Sequence, residues 1–438
     1  MTEVPRATSS KLWTTWKLLR QPYAMWPPLA AQHGKTFRID AWNGDIVCTA
    51  DPDVLRDLFK ATTDEVRPFA VDALLPVLGA DSVIAIWGAR HKEARRLLMP
   101  SFHGPRMKAY TERMREITLR TSARWGEVPG AEIVALDEML SISLEVIARA
   151  VFGIDDAAEV TRHTDAIRAF VRTLRPELLF VPAMLKLPVG PGPRFLRAKE
   201  AFDAMLHRTI RERRAGERGD DVLSMLLDAT HADGGAVDDD EVRDQLVTLL
   251  FAGHETTQIA MAWMLYHLAR HPEARARLEA EVDGWDGVSD TLGNLPYLDA
   301  VVQETLRMHA IVPDFVRTLV TPMTLGPYTL PAGTHVAMIA AMLHADPALY
   351  PDPDAFRPER HLERTFKPYE LIPFGGGVRR CIGAALATWE MKVVVATLIQ
   401  RFRFDSRSDE APVRRNATAG PRHGVRLAVS RRASPATA

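Results

Sequence analysis

The sequence predicts one large, mostly helical domain carrying small β-sheets. Three observations lead there. Helical apolar periodicity fills most of the chain, strand-like alternation is confined to a few short runs, and no linker, repeat or low-complexity tract divides it. With 438 residues, 47% of them apolar, the chain can bury a large core. Residues 1–35 are expected to pack on the domain, 36–430 to form it, and 431–438 to trail as a flexible tail.

In chain order, "FRIDAWNGDIVCTA" alternates around Asn43-Gly44, a strong short hairpin signal that places Cys48 as a small buried residue. Helical periodicity follows over Asp53 to Lys60, then 89–124, 134–151, 160–175, 195–215 and 221–230. The longest helix starts after "DGGAVDDD" and stops at His271-Pro272; Asp238, Asp239, Asp240 and Glu241 suit the positive end of its dipole. Another helix covers Leu298 to Met308. Strand-like "VRTLV" and "THVAMIA" come next, linked by a Gly326-Pro327 turn. Past Cys381, "AALATWEMKVVVATLIQRF" reads as a helix and "GVRLAVS" as a closing strand. Two stretches are loops by composition, "VPAMLKLPVGPGPRF" and "RERRAGERGDD".

Composition excludes several classes. Formal net charge is −1 and no long like-charge run occurs, so nucleic-acid binding has no electrostatic footprint. Cys48 and Cys381 cannot make a disulfide framework or a CxxC zinc site, which fits a reducing cytoplasm. Lys11, Lys17, Arg20 and prolines interrupt the Trp-rich start, and no apolar run suffices for a transmembrane anchor. Trp and basic residues favour an interfacial layer, yet the simpler expectation is a start packed on the domain.

"FGGGVRRCIG", Phe374 to Gly383, places a cysteine on a bare, basic turn before a helix. Amide N–H groups there, with Arg379 and Arg380, favour a thiolate, and the glycines allow close approach to a flat ligand. A phosphate loop would want Gly-Lys-Ser/Thr, and a nucleophile would want a nearby histidine base. Thiolate ligation of an iron cofactor remains open beside an inert loop. "FAGHETT" sets Gly253, Glu255 and Thr256 in the middle of the longest helix, where buried polar groups are costly unless used. Thr256 can bond a carbonyl back along the helix and open it. In "ETLR", Glu304 and Arg307 share a helix face, and "FRPERH" can bring Arg360 to them.

Together, in this order and spacing, "AGHETT", "ETLR", "FRPERH" and "FGGGVRRCIG" resemble a cytochrome P-450, a haem-thiolate monooxygenase, over nearly the whole chain. The resemblance implies that Cys381 is the axial ligand of haem b, shielded by Phe374, with Gly377 and Gly383 permitting the turn. It implies haem propionate contacts from His91, Arg95, Arg317 and Arg379, and a structural triad of Glu304, Arg307 and Arg360. Glu255 and Thr256 become the acid–alcohol pair delivering protons to dioxygen, the co-substrate. The pocket is expected among 64–87, 170–195, 247–256, 311–316 and 416–421, including Ile84, Ile86, Leu250, Ala252, Gly253, Val312, Asp314 and Phe315. Their apolar character implies a hydrophobic substrate such as a terpene, fatty acid or polyketide. Asp314 is the exception; it either binds a polar group of the substrate or turns into a polar network.

The stretch after Cys381 is too short for a reductase, so the resemblance implies separate electron donors, a ferredoxin and its reductase or a flavodoxin. Arg90, Lys92, Arg96 and Arg380 are expected to offer them a basic face. A haem-thiolate isomerase would lack the acid–alcohol pair, and a haem sensor would need neither that pair nor an enclosed cavity. Departures from the family pattern are His361, where an aromatic is usual, and Ala345, where arginine is common; neither touches the expected chemistry.

Overall fold

The computed structural model describes residues 3–7, 10–21, 23–41, 44–102, 106–174, 178, 185, 187, 189–415 and 417–432. It opens with β1 (Arg6–Ala7), helix α1 (Lys11–Arg20) and helix α2 (Trp26–His33). The expected hairpin is formed by β2 (Thr36–Ala41) and β3 (Gly44–Thr49), antiparallel from Thr36↔Thr49 to Ala41↔Gly44. Trp42 and Asn43 lie outside the described residues. Cys48 is buried in β3, and burial pushes its thiol far above the ordinary range.

The remaining strands are β4 (Val66–Pro68), β5 (Glu132–Val134), β6 (Asp314–Leu319), β7 (Met323–Leu325), β8 (Tyr328–Leu330), β9 (His335–Ile339), β10 (Phe402–Ser406), β11 (Pro412–Arg414), β12 (Ala419–Pro421) and β13 (Arg426–Arg431). The main sheet runs β1-β2-β3-β9-β6-β4; smaller sheets are β10-β13-β5, β11-β12 and β7-β8. β6 and β9 pair antiparallel, Val316 opposite Ala337. The Gly326-Pro327 turn does not join those two, contrary to expectation. It closes the separate β7–β8 hairpin, with Gly326 at φ +55°.

Several helix boundaries differ from the sequence reading, the run expected at 160–175 forming Ala157–Val171. The periodic run 89–124 divides into Gly88–Leu98, a 3₁₀ turn at Met99–Phe102 and Arg106–Thr121. Pro100 is the cause, having no N–H and clashing with the preceding turn. The helix expected at 195–215 starts earlier, at Pro191, because proline in a first turn has no N–H to lose. The longest helix runs Asp239–Arg270, with the Asp238 carboxylate accepting the Glu241 N–H at 2.8 Å. About 48 Å long, it packs on helices Ala135–Phe152 and Ala384–Arg401.

Apolar side chains collect into two cores. The larger joins the helices around Trp263, Leu206, Val302 and Val394. The smaller joins the main sheet to α2 through Trp26, Phe37, Leu55 and Met338. The cysteine turn lies at their seam: Phe374 and Ile382 pack on the helical core, Ile372 and Val378 on the sheet core.

Helix Ala384–Arg401 carries one buried acid, Glu390, whose Oε1 has no partner. Burial pushes its carboxyl from 4.5 up to about 8, and Ser143 offsets this only slightly. The folded chain therefore keeps a proton that the unfolded chain sheds, so stability falls as pH rises from about 4.5 to about 8. Glu390→Gln removes that loss. Chemical denaturation at pH 7 should show a gain of up to about 3 kcal/mol that vanishes near pH 4.5.

Candidate active site

The cysteine turn is shaped by its glycines. Gly375 and Gly377 take φ of +65° and +62°, which other residues resist, and the Cys381 N–H donates to the Phe374 carbonyl at 3.0 Å. A Cβ at Gly377 would stand 2.8 Å from the Phe59 carbonyl oxygen, and one at Gly376 would enter the Phe59 ring. Helix Pro52–Phe59 therefore presses directly on the turn, a contact the sequence reading missed although the glycine triplet signalled some close approach. Gly383 differs: its φ is −87° and no protein atom lies within 4 Å of where a Cβ would stand.

The sulfur's electrostatics depart from expectation. The Gly383 amide, Arg380 and Arg95 do favour a thiolate, but burial outweighs them and raises the Cys381 thiol above its ordinary value. The amide that serves the sulfur belongs to Gly383, the N-cap of helix Ala384–Arg401, as the position before a helix start led one to expect. Cys381 itself is reachable from open space. Such a thiol ionises when a metal cation binds it.

Around this turn stand cations without anions. His91 and Arg95 share one face of helix Gly88–Leu98, Arg317 comes from β6, and Arg379 from the turn itself. Burial, then Arg379, Arg95 and Arg317, lower the His91 imidazole to about 3, so it is neutral. Burial lowers Arg317 and Arg379 to about 10. Arg317 donates to the Gly376 carbonyl at 2.5 Å, and Arg95 to the Arg380 carbonyl at 2.8 Å. Arg379 donates to the carbonyls of Ile84, at 3.3 Å, and Ile86. No carboxylate pairs with these three arginines among the described residues, and His91 Nδ1, Arg317 Nη1 and Arg379 Nε are buried without partners. One buried guanidinium, Arg317, beside the half-buried Arg95 and Arg379 calls for an anionic ligand.

The long helix is buried along both arms and partly open at Phe251–Gly253 and Glu255–Thr256. Its hydroxyls bond backwards, Thr256 to the Ala252 carbonyl at 2.7 Å and Thr257 to Gly253 at 3.0 Å, while His254 Nδ1 lies 2.6 Å from the Leu250 carbonyl oxygen. The helix nonetheless stays continuous, so Thr256 does not break it. Gly253 serves packing: a Cβ there would stand 3.1 Å from Ile147. Burial raises the Glu255 carboxyl, offset by Arg415 and Thr418 between β11 and β12. That hairpin partner was not foreseen.

Glu304, Arg307 and Arg360 meet as expected, fully buried. Glu304 accepts from Arg307 Nε at 2.8 Å, Arg360 Nε at 2.9 Å and the Arg357 amide at 3.0 Å. His361 Nε2 completes the cage 3.0 Å from Glu304 Oε2, so the departure from an aromatic residue makes a polar contact. His344 bridges this cage to the turn, its Nδ1 3.1 Å from the Arg307 carbonyl oxygen and its Nε2 accepting the Ile372 N–H at 2.9 Å.

The family model described as cytochrome P450 matches residues 12–425. The chain belongs to the cytochrome P450 family. It is 32% identical over 411 residues to cytochrome P450 135A1 of Mycobacterium tuberculosis, covering 92% of this chain and 89% of that protein. It is 32% identical over 417 residues to cytochrome P450 138 of Mycobacterium bovis, covering 92% and 90%. Among solved structures, retinoic acid-bound cyanobacterial CYP120A1 superposes with a TM-score of 0.87 at 24% identity, over 98% of this chain and 99% of that one. The cytochrome P450DA heme domain gives 0.85 at 25% identity, over 98% of each. This P450 is therefore a haem-dependent monooxygenase, an oxidoreductase, with the fold of its family.

The residues present fit a haem. A lone cysteine sulfur, free space at Gly383 and three unpaired guanidiniums match a flat metal complex bearing carboxylates. Among the described residues no cluster of three or more His, Cys, Asp or Glu offers a rival metal site, and no helix is long and apolar enough to cross a membrane.

Other expected site residues distribute unevenly. Ile84 and Ile86 are held to the cysteine turn by their carbonyls, and Leu250 and Ile86 are buried. The Phe315 ring lies nearest to where a Cβ on Gly375 would stand, 3.8 Å away, and Val312 is half-buried. Asp314 leaves the expected pocket and takes the second of its two alternatives, a polar partner. Side chains alternate along β6, so Phe315 and Arg317 face the turn while Asp314 and Val316 face the opposite side. There Asp314 pairs with Arg414 and lines an apolar cavity of about 120 Å³ beneath α1. Much of 170–195 and Asn416 lie outside the described residues. The basic face is also reduced, because Arg90 pairs with Asp81 and Arg96 with Glu93 at 2.6 Å.

Proposed function

We propose that this P450 hydroxylates or epoxidises a hydrophobic small molecule, of terpene, fatty acid or polyketide type, in front of Cys381. The observation that carries this reading is the limited opening of the long helix: Phe251, Ala252 and Gly253 are apolar, and only Glu255 and Thr256 bring polar groups there. When bound, haem b supplies dioxygen activation, with one oxygen atom going to substrate and the other leaving as water after two electrons and two protons arrive.

The protein's own residues position and protonate. Cys381 is the ligand, Phe374 shields it, and His91, Arg95, Arg317 and Arg379 receive the propionates. Haem b is favoured because Cys48 is buried in β3 and Cys381 stands alone, leaving no cysteine pair for covalent attachment. Acid–acetone extraction should release it. Burial raises the affinity of Glu255 for a proton, which suits it to hand protons to the neighbouring Thr256 hydroxyl. Electrons come from a ferredoxin and its reductase, or a flavodoxin, meeting the exposed Lys92 and Arg380. A reducing cytoplasm suits two free thiols.

The test is coupling. Thr256→Ala should lower product formed per reductant consumed by about tenfold or more. Glu255→Gln should slow turnover and flatten its pH profile. Unchanged coupling in both variants would remove the proton-delivery assignment.

A further inference from the structure

We infer that α1 seats this P450 on an anionic lipid surface. Leu12, Trp13 and Trp16 stand on one face of that helix, 71%, 46% and 52% exposed. Soluble surfaces seldom hold two indoles and a leucine together without use. Lys11, Lys17 and Arg20 flank them and no acidic residue occurs in the helix; Lys11 stands within electrostatic reach of Asp40, while Lys17 and Arg20 form no salt bridge among the described residues. The Lys17 ammonium lies 3.9 Å from the centre of the Trp13 ring, extending the basic edge along the aromatic face.

The opposite face fixes the helix in place. Thr14 is buried, Arg414 Nε donates to the Leu18 carbonyl at 3.0 Å, and Ser10 caps the helix by accepting the Trp13 N–H at 3.2 Å. Thr15 and Leu18 roof the apolar cavity that Asp314 lines. The indoles therefore cannot fold inward without breaking the contacts that hold α1 to the sheet. An indole ring with cations beside it suits the headgroup layer, where one edge is apolar and the other wet. A second copy of the chain fits worse, because a symmetric contact would set cations against cations. At about 15 Å the helix lies on a bilayer and does not cross it.

The whole protein should co-sediment with vesicles containing phosphatidylglycerol, bind weakly to pure phosphatidylcholine, and detach as salt rises. Trp13→Ser with Trp16→Ser should cut partitioning by about tenfold or more. Lys11→Gln and Arg20→Gln should each cut it about fivefold. Circular dichroism and the reduced carbon monoxide spectrum should match wild type, since all four positions are exposed. Three results would overturn the assignment: no binding at any phosphatidylglycerol fraction, binding that the Trp variants leave intact, or a dimer without lipid affinity that the Trp variants dissolve.

Discussion

Cys381→Ser is expected to abolish the strongly red-shifted Soret band of the reduced carbon monoxide complex and to cost more than about a hundredfold in turnover. Substitutions one shell away from a metal already cost about 10–100-fold, and this one removes the only sulfur at the turn. A serine hydroxyl would keep the shape of the turn, because the Cys381 amide and its bond to the Phe374 carbonyl are untouched. Loss of the band with a retained circular dichroism spectrum thus isolates the ligand from the fold. The same band in the variant would refute Cys381 as ligand. The raised affinity of the thiol for its proton adds a pH signature: apoprotein should take up haem more slowly as pH falls, since the proton must leave first.

Glu304→Gln is expected to destabilise the protein by about 3–5 kcal/mol, the usual cost of breaking a buried ion pair from one side. Arg307, Arg360 and His361 would be left facing an uncharged amide in a site closed to water. Burial by itself would raise the Glu304 carboxyl, but His361, Arg307 and the Arg357 amide overcome it and hold it at about 2. Its folded value thus lies below the ordinary 4.5. The contribution is complete above about pH 4.5 and disappears as pH falls toward 2. Urea denaturation of wild type and variant should converge across that window. A difference below about 0.5 kcal/mol at pH 7 would show that the cage does not stabilise the fold. Through His344 and Ile372 the variant should also hold haem less tightly.

Much of this was legible in the sequence, for identifiable reasons. The longest helix announced its start with Asp238 to Glu241 and its end with His271-Pro272, because capping and proline chemistry are local. The ETLR and FRPERH segments could be paired because both carry opposite charge in apolar surroundings. What escaped was non-local. Nothing near Gly376 mentions Phe59, and nothing near Glu255 mentions Arg415 or Thr418. At the sulfur, the local amide and Arg380 were legible, but the opposing desolvation depends on what packs around the turn, and no ten-residue stretch contains that.

One strand binds these themes. β6 divides two compartments, giving Phe315 and Arg317 to one and Asp314 and Val316 to the other, and it is laddered on both edges, to β4 and β9. A slip of a single residue would exchange the contents of the two rooms. Arg414 would lose its acid and face a second guanidinium across the cavity. Charge sorting along the four residues from Asp314 to Arg317 therefore disfavours a misregistered pairing of this strand.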